Sequence, residues 1–191
     1  MEDVTFEGSI DVLVEELAGP RRRNRQDAAH KIALAAHEDA GQLAPHIDAL
    51  IDALYRPEAQ TRWEVFDALF TYAPIDPEAV SGAIDGAEAA LFDEDSAIVR
   101  LAAFRLLSRL GASSPERSEQ VWPLLDEAVQ CYHGNPEYRD MLLALLEFAQ
   151  GDLSDGVREA LCARMAFDGE NGRSYIKGYS NQILAAVKGE E

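Results

Sequence analysis

The chain has 191 residues, is 47% hydrophobic and carries a net charge of −18. That is enough for one large domain or a short repeat array, and too apolar for a disordered chain. A surface this acidic repels nucleic-acid phosphates and anionic lipid heads, so neither is an expected partner, whereas a basic protein would be attracted. No run of about 18 apolar residues occurs, and no basic segment leads into one at the start, so neither a membrane span nor a secretory signal is expected. The two cysteines, Cys131 and Cys162, fall inside helical patterns and read as small buried residues of a cytoplasmic protein.

Taken in chain order, the segments are helical. "DVLVEELAG" is a first amphipathic stretch, in a region where residues 1–20 hold six acids and no base. A basic island follows: Arg21, Arg22, Arg23, Arg25 and Lys31. It runs into "RQDAAHKIALAA" from Arg25. In "PHIDALIDALY" the apolar residues Ile47, Leu50, Ile51, Leu54 and Tyr55 fall at i, i+3, i+4, i+7 and i+8, one stripe of a helix. "RWEVFDALFTYA" begins at Arg62, "AIDGAEAALF" follows, and "RLAAFRLLSRLG" begins at Arg100 with the stripe Val99, Ala103, Leu106, Leu107 and Leu110. "WPLLDEAVQCY" and "RDMLLALLEFAQ" from Arg139 form the next couple, then "VREALCARMAF" and "RSYIKGYSNQIL" from Arg173. About ten helices of about 10–17 residues are expected, and no strands.

Helix starts are marked by Asp76-Pro77-Glu78, Ser114-Pro115-Glu116 and Asn135-Pro136-Glu137. Each sets a capping side chain before a proline at the first helical position and an acid that favours the helix dipole. Gly111, Gly134, Gly151 and Gly169 are placed as helix-end caps. The arginines that open every second helix are 37, 38, 39 and 34 residues apart. Apolar residues recur three positions after them, at Ala28, Val65, Ala103, Leu142 and Ile176. The unit is therefore helix, turn, helix, repeated about five times.

This pattern resembles the HEAT-repeat family, on the strength of "ALFDEDSAIVRLAAFRLLSRLG" and "ALYRPEAQTRWEVFDALFTYA". The resemblance covers about residues 9–188. It implies an all-α fold, a right-handed α-α superhelix of about five helix pairs. These would be repeats 9–38, 43–73, 77–111, 117–150 and 154–188 of a single domain spanning 1–191. It implies that first helices form a convex face and second helices a concave one. It also implies that turn acids such as Asp93, Glu94 and Asp95 accept hydrogen bonds from Arg100 or from a neighbouring repeat's arginine, fixing register.

Catalytic signatures are absent: there is no G-x-S-x-G, no phosphate-binding loop and no dinucleotide fingerprint. The four histidines, His30, His37, His46 and His133, lack metal-ligand spacing. "GAIDG" at 82–86 reads as a helix-packing contact and "DGENGR" at 168–173 as a turn. The carboxylate pairs Asp48 with Asp52, Asp85 with Glu88 and Asp126 with Glu127 lie on polar sides of first helices. No enzyme, metal or cofactor is expected.

The expected function is a protein-binding scaffold that grips a partner with a basic patch in the concave groove. The expected contact residues are Arg62, Trp63, Asp67, Arg105, Arg109, Met141, Phe148 and Tyr175, because aromatic and arginine side chains are the usual anchors of such surfaces. Trp122, in a first helix, is read as core. The alternatives weighed are an immunity or inhibitor protein against a basic toxin, a small-molecule sensor, and a HEAT-like enzyme of the bilin lyase or alkylpurine DNA glycosylase type. The last needs a basic groove that a net charge of −18 opposes.

Overall fold

A computed structural model describes residues 9–189, and every regular element among them is helical. Eleven α-helices follow in order: α1 Ile10–Ala18, α2 Arg22–Glu38, α3 Ile47–Ala53, α4 Ala59–Tyr72, α5 Pro77–Val80, α6 Ile84–Leu91, α7 Ala97–Gly111, α8 Pro115–Cys131, α9 Tyr138–Ala149, α10 Asp155–Asn171 and α11 Tyr175–Lys188. Short 3₁₀ segments occupy Ala40–His46 and Ser81–Ala83. These interruptions explain why α3, α5 and α6 are shorter than their periodicity suggests. Pro45 lies inside the first segment and has no N–H to donate. Gly82 sits in the second, where the helix propensity is weakest.

The chain divides into two compact units, one ending at Leu106 and one beginning at Leu107, with the division inside α7. In the first unit α1 packs on α2 and α3, and α2 packs on α4. In the second, α8 packs on α10 and α9 on α11. Within each unit, first helices thus stack on first helices and second on second. This is what a repeated stripe of fixed period produces when each pair buries its face on the next. The core of the first unit includes Leu17, Ile32, Leu50, Phe66, Leu69 and Leu91, and that of the second Val121, Leu125, Leu142, Leu145 and Leu161. Each such side chain contributes about 1.5–3 kcal/mol by leaving water.

Local signals are realised unevenly. Asp76 Oδ1 accepts from the Ala79 amide at 3.0 Å, and Ser114 Oγ from the Arg117 amide at 3.3 Å. The third expected cap differs: Asn135-Pro136-Glu137 forms a turn in which the Tyr138 amide donates to the Asn135 carbonyl, and α9 starts only at Tyr138. Of the four expected cap glycines only Gly134 has a positive φ, 79°. Gly111 is needed for space, since a Cβ there would lie 2.3 Å from Val121 and 2.8 Å from Phe148. Gly86 does serve close helix packing, its missing Cβ leaving room for Leu54.

Four further expectations are corrected. Tyr55 is 63% exposed, because α3 ends at Ala53 and releases it from the stripe. Cys131 is exposed and Cys162 partly so, since both sit at the edge of their helices' buried faces. "DGENGR" is not simply a turn: α10 continues through Asn171 and buries Asp168 and Gly169. Trp122 is partly exposed, stacked 6.2 Å from Phe148.

Candidate functional site

The arginines that open the second helices are where the polar chemistry begins. Arg25 is almost fully buried, its Nε and Nη2 on the two Glu58 carboxylate oxygens and its Nη1 on the Gly19 carbonyl at 2.9 Å. The hydrogen bond from Arg25 holds the Glu58 carboxyl below its ordinary range, against the opposing effect of burial. Arg62 Nη2 meets Asp93 at 2.7 Å, and Arg100 Nη1 donates to the Asp93 carbonyl at 2.6 Å. Burial pushes the Asp93 carboxyl up, but Arg62 and the Asp95 and Ser96 amides together outweigh it and leave it lowered. Asp93 thus accepts from the preceding repeat's arginine through its side chain and from its own through its backbone.

The histidines belong to the same system. His30 Nδ1 lies 2.9 Å from Glu64, His37 Nε2 2.6 Å from Asp67, His46 Nε2 3.2 Å from Asp11 and His133 Nε2 2.9 Å from Asp168. All four histidines therefore face a carboxylate of another repeat. Burial raises the Glu64 carboxyl, with His30 opposing the shift. Among the described residues no three His, Cys, Asp or Glu side chains converge as a metal site.

On the second helices of the first unit, the side chains outside the core form aligned strips. His30, Leu34 and His37 fall at i, i+4 and i+7 on α2, and Trp63, Asp67 and Phe70 do the same on α4. Ile98, Leu101 and Arg105 run along α7. The strips are tied across helices by His37–Asp67 and by the Arg105 guanidinium, 4.5 Å above the Phe70 ring. Leu34 is 40% and Ile98 56% exposed. The result is a surface of aromatic and aliphatic groups interleaved with two histidines, Arg105 and one carboxylate, Asp67.

The eight residues expected to contact a partner separate accordingly. Trp63, Asp67 and Arg105 lie on these strips, Trp63 and Asp67 partly exposed and Arg105 exposed. Arg62 is spent on Asp93. In the second unit Arg109 pairs with Glu147 at 3.1 Å, and Tyr175 is partly exposed at the start of α11. Met141 and Phe148 are fully buried and are core residues, which corrects their placement on the surface. The buried face of α9 is broad enough to take in Met141, Leu142, Ala144, Leu145 and Phe148, so positions beside its central stripe are covered as well. Sequence reading missed Leu34, Phe70 and Ile98, and weighed His30 and His37 only as metal ligands. Their spacing of i, i+3 or i+4, and i+7 was visible, but only pairing across repeats gives it meaning.

No protein-family model matches the sequence, and no match was found among the curated proteins compared with it. Solved structures do match. A designed armadillo repeat protein in complex with the peptide (KR)4 superposes with a TM-score of 0.75 at 15% identity, over 93% of this chain and 81% of that one. Computationally designed armadillo repeat proteins for modular peptide recognition give 0.75 at 16%, over 93% and 81%. An engineered protein gives 0.75 at 22%, over 96% and 83%. The fold is an all-α solenoid. The helical-repeat architecture implied by the sequence is thereby established, in the likeness of armadillo-type designs, while no family model supports HEAT specifically. Among the described residues no helix is long and apolar enough to cross a membrane.

Proposed function

We propose that the protein is a non-enzymatic scaffold that binds an extended basic segment of a partner protein across the second helices of its first unit. The observation that carries this reading is the set of aligned strips on α2, α4 and α7, which offers aromatic and aliphatic anchors around the Asp67 carboxylate. Trp63, Phe70, Leu34 and Ile98 supply apolar contact, the part of an interface that contributes most of the energy. Asp67 places one carboxylate on this face, shared with His37, while Glu64 is buried behind it on His30, and the longer-range attraction comes from exposed acids of the first helices such as Asp48 and Asp52. The net charge of −18 steers a basic partner toward the molecule and rejects an acidic one. A designed armadillo protein of this fold carrying the peptide (KR)4 makes the geometry reasonable for such a ligand. Arg105 contributes its stem and its stacking on Phe70.

The test is an affinity capture at low and high salt, paired with fluorescence anisotropy of a labelled Lys-Arg repeat peptide. Wild type is expected to bind in a salt-sensitive manner. The Trp63→Ala, Arg105→Ala double variant is expected to lose about tenfold or more, and Asp67→Lys to lose as much through charge reversal. Binding that ignores both variants would remove this face from consideration. Failure of any basic peptide or protein to bind would remove the scaffold reading itself.

A further inference from the structure

A second feature of the first unit lies away from those strips, at the turn between α3 and α4. A pocket of about 330 Å³ opens there, lined by Leu54, Tyr55, Arg56, Pro57, Arg62, Gly86, Ala89 and Ala90. No acidic residue lines it, in a chain with 35 acids. Its two arginines are not equivalent. Arg62 is neutralised by Asp93. Arg56 is only partly exposed and, among the described residues, pairs with no carboxylate. It makes one bond, from Nη2 to the Ala18 carbonyl at 3.2 Å, and its Nε is buried without a partner. The Arg62 Nε is likewise buried and unbonded. A guanidinium drawn partly out of water without a counter-ion is costly, and elsewhere in this chain Arg25, Arg109 and Arg164 each have one.

The rest of the wall is apolar. Tyr55 stands 63% exposed at the rim, and Leu54, Ala89 and Ala90 line the side. Gly86 keeps that side low: a Cβ there would lie 3.1 Å from Leu54 and 3.6 Å from the Tyr55 ring. One net positive charge matches a monoanion better than a dianion. The planar fork of arginine fits a carboxylate, and an aromatic rim beside small residues fits a flat apolar body. We propose that this pocket binds the carboxylate of a small acid with an aromatic or aliphatic body, the carboxylate on Arg56 and the body against Tyr55 and the Gly86–Ala90 side of α6. The same chemistry is carried by a free organic acid and by the terminal carboxylate of a peptide ending in an aromatic residue.

The experiment is calorimetric titration and thermal melting of the full chain with phenylacetate, with phenylacetamide as its uncharged counterpart and with inorganic phosphate. Saturable binding of phenylacetate and a ligand-dependent rise in melting temperature are expected, with neither for the amide nor for phosphate. Arg56→Gln is expected to fold with a melting temperature close to wild type, because it breaks no ion pair and the lost bond to the Ala18 carbonyl is offset by removing the buried, unbonded Nε, and to weaken phenylacetate about tenfold or more. Ala89→Leu, on the exposed side of α6, fills the pocket without touching an arginine and is expected to abolish binding. This second variant keeps the test decisive if Arg56→Gln does not fold. Gly-Gly-Phe with a free terminus, against its amide, separates the two sources: tighter binding than phenylacetate assigns the pocket to a peptide terminus, weaker binding to a free acid. Equal binding of phenylacetate and phenylacetamide, equal binding of phosphate, or no saturable binding of phenylacetate overturns the proposal.

Discussion

Replacing Tyr138 by phenylalanine is the sharpest probe of the second unit. Tyr138 has no exposed surface, and its hydroxyl reaches no hydrogen-bond partner. It lies against a cavity of about 390 Å³ also lined by His133, Arg164, Phe167 and Asp168. Burial pushes the phenol's pKa far up, and the neighbouring Asp168 charge adds to it, although no hydrogen bond of ordinary geometry joins the two. A buried hydroxyl left unsatisfied costs about 1–3 kcal/mol, while deleting one oxygen atom leaves a void worth less than that. Tyr138→Phe is therefore expected to stabilise the protein by about 1 kcal/mol, a rise of about 2–4 °C in melting temperature for a chain of this size. The assay is urea denaturation at neutral pH with a thermal melt beside it. A pH series sharpens it. A phenol whose folded pKa is raised gives stability that is present below the ordinary tyrosine range and lost as the pH climbs through it. Wild type should then weaken faster than Tyr138→Phe above about pH 10. A loss of about 1 kcal/mol or more in the variant at neutral pH would mean that the hydroxyl is bonded in solution, and the argument from its isolation would fall.

Other outcomes follow from the same geometry. Gly111→Ala should destabilise by about 1–3 kcal/mol, because its methyl meets Val121 and Phe148. Gly178→Ala, in α11 with nothing within 4 Å, should stabilise by about 0.5–1 kcal/mol, and both are read by urea denaturation. The Glu58 carboxyl is held low by Arg25, so its stabilising effect is present above the ordinary carboxylate range and lost as the pH falls through the folded value. Glu58→Gln should be less stable than wild type at neutral pH and show a shallower loss on acidification. Trp122→Phe leaves Trp63 as the single tryptophan, and its emission should then shift when a Lys-Arg peptide binds.

The helices and their pairing were legible in the sequence because both follow from a single periodic stripe. The regular recurrence of Arg25, Arg62, Arg100 and Arg139 also placed the second helices without any long-range information. What escaped was whatever depends on the width of a buried face. Met141 and Phe148 lie beside the central stripe of α9, and whether such positions are covered depends on the neighbouring helix, as α9 packing on α11 illustrates. Tyr55 failed for the opposite reason: the stripe ran on in sequence after the helix had ended at Ala53. The pocket at Arg56 was invisible because its parts, the α3–α4 turn and one side of α6, are separated in the chain and share no motif.

The pairing expected of the turn acids reaches further, since Asp126, expected on the polar side of a first helix, is also engaged, by Arg164. The polar pairs link residues between 30 and 38 positions apart, about the period of the repeat: His37 with Asp67, Arg25 with Glu58, His30 with Glu64, His133 with Asp168, and Arg164 with Asp126. Pairs of this kind add little stability when exposed, about 0.2–1 kcal/mol each. Their geometric effect is larger, since a helix that slipped by one turn would strand several charges at once. A carboxylate engaged in this way is also less available to a partner. The acids left to attract a basic ligand are those outside the ladder, such as Asp48, Asp52, Asp85 and Glu88, all exposed on first helices. Long-range attraction then comes from one set of helices and short-range fit from the other. Neutralising the exposed acids of α3 and α6 should therefore slow association and leave dissociation nearly unchanged, whereas Trp63→Ala should do the reverse.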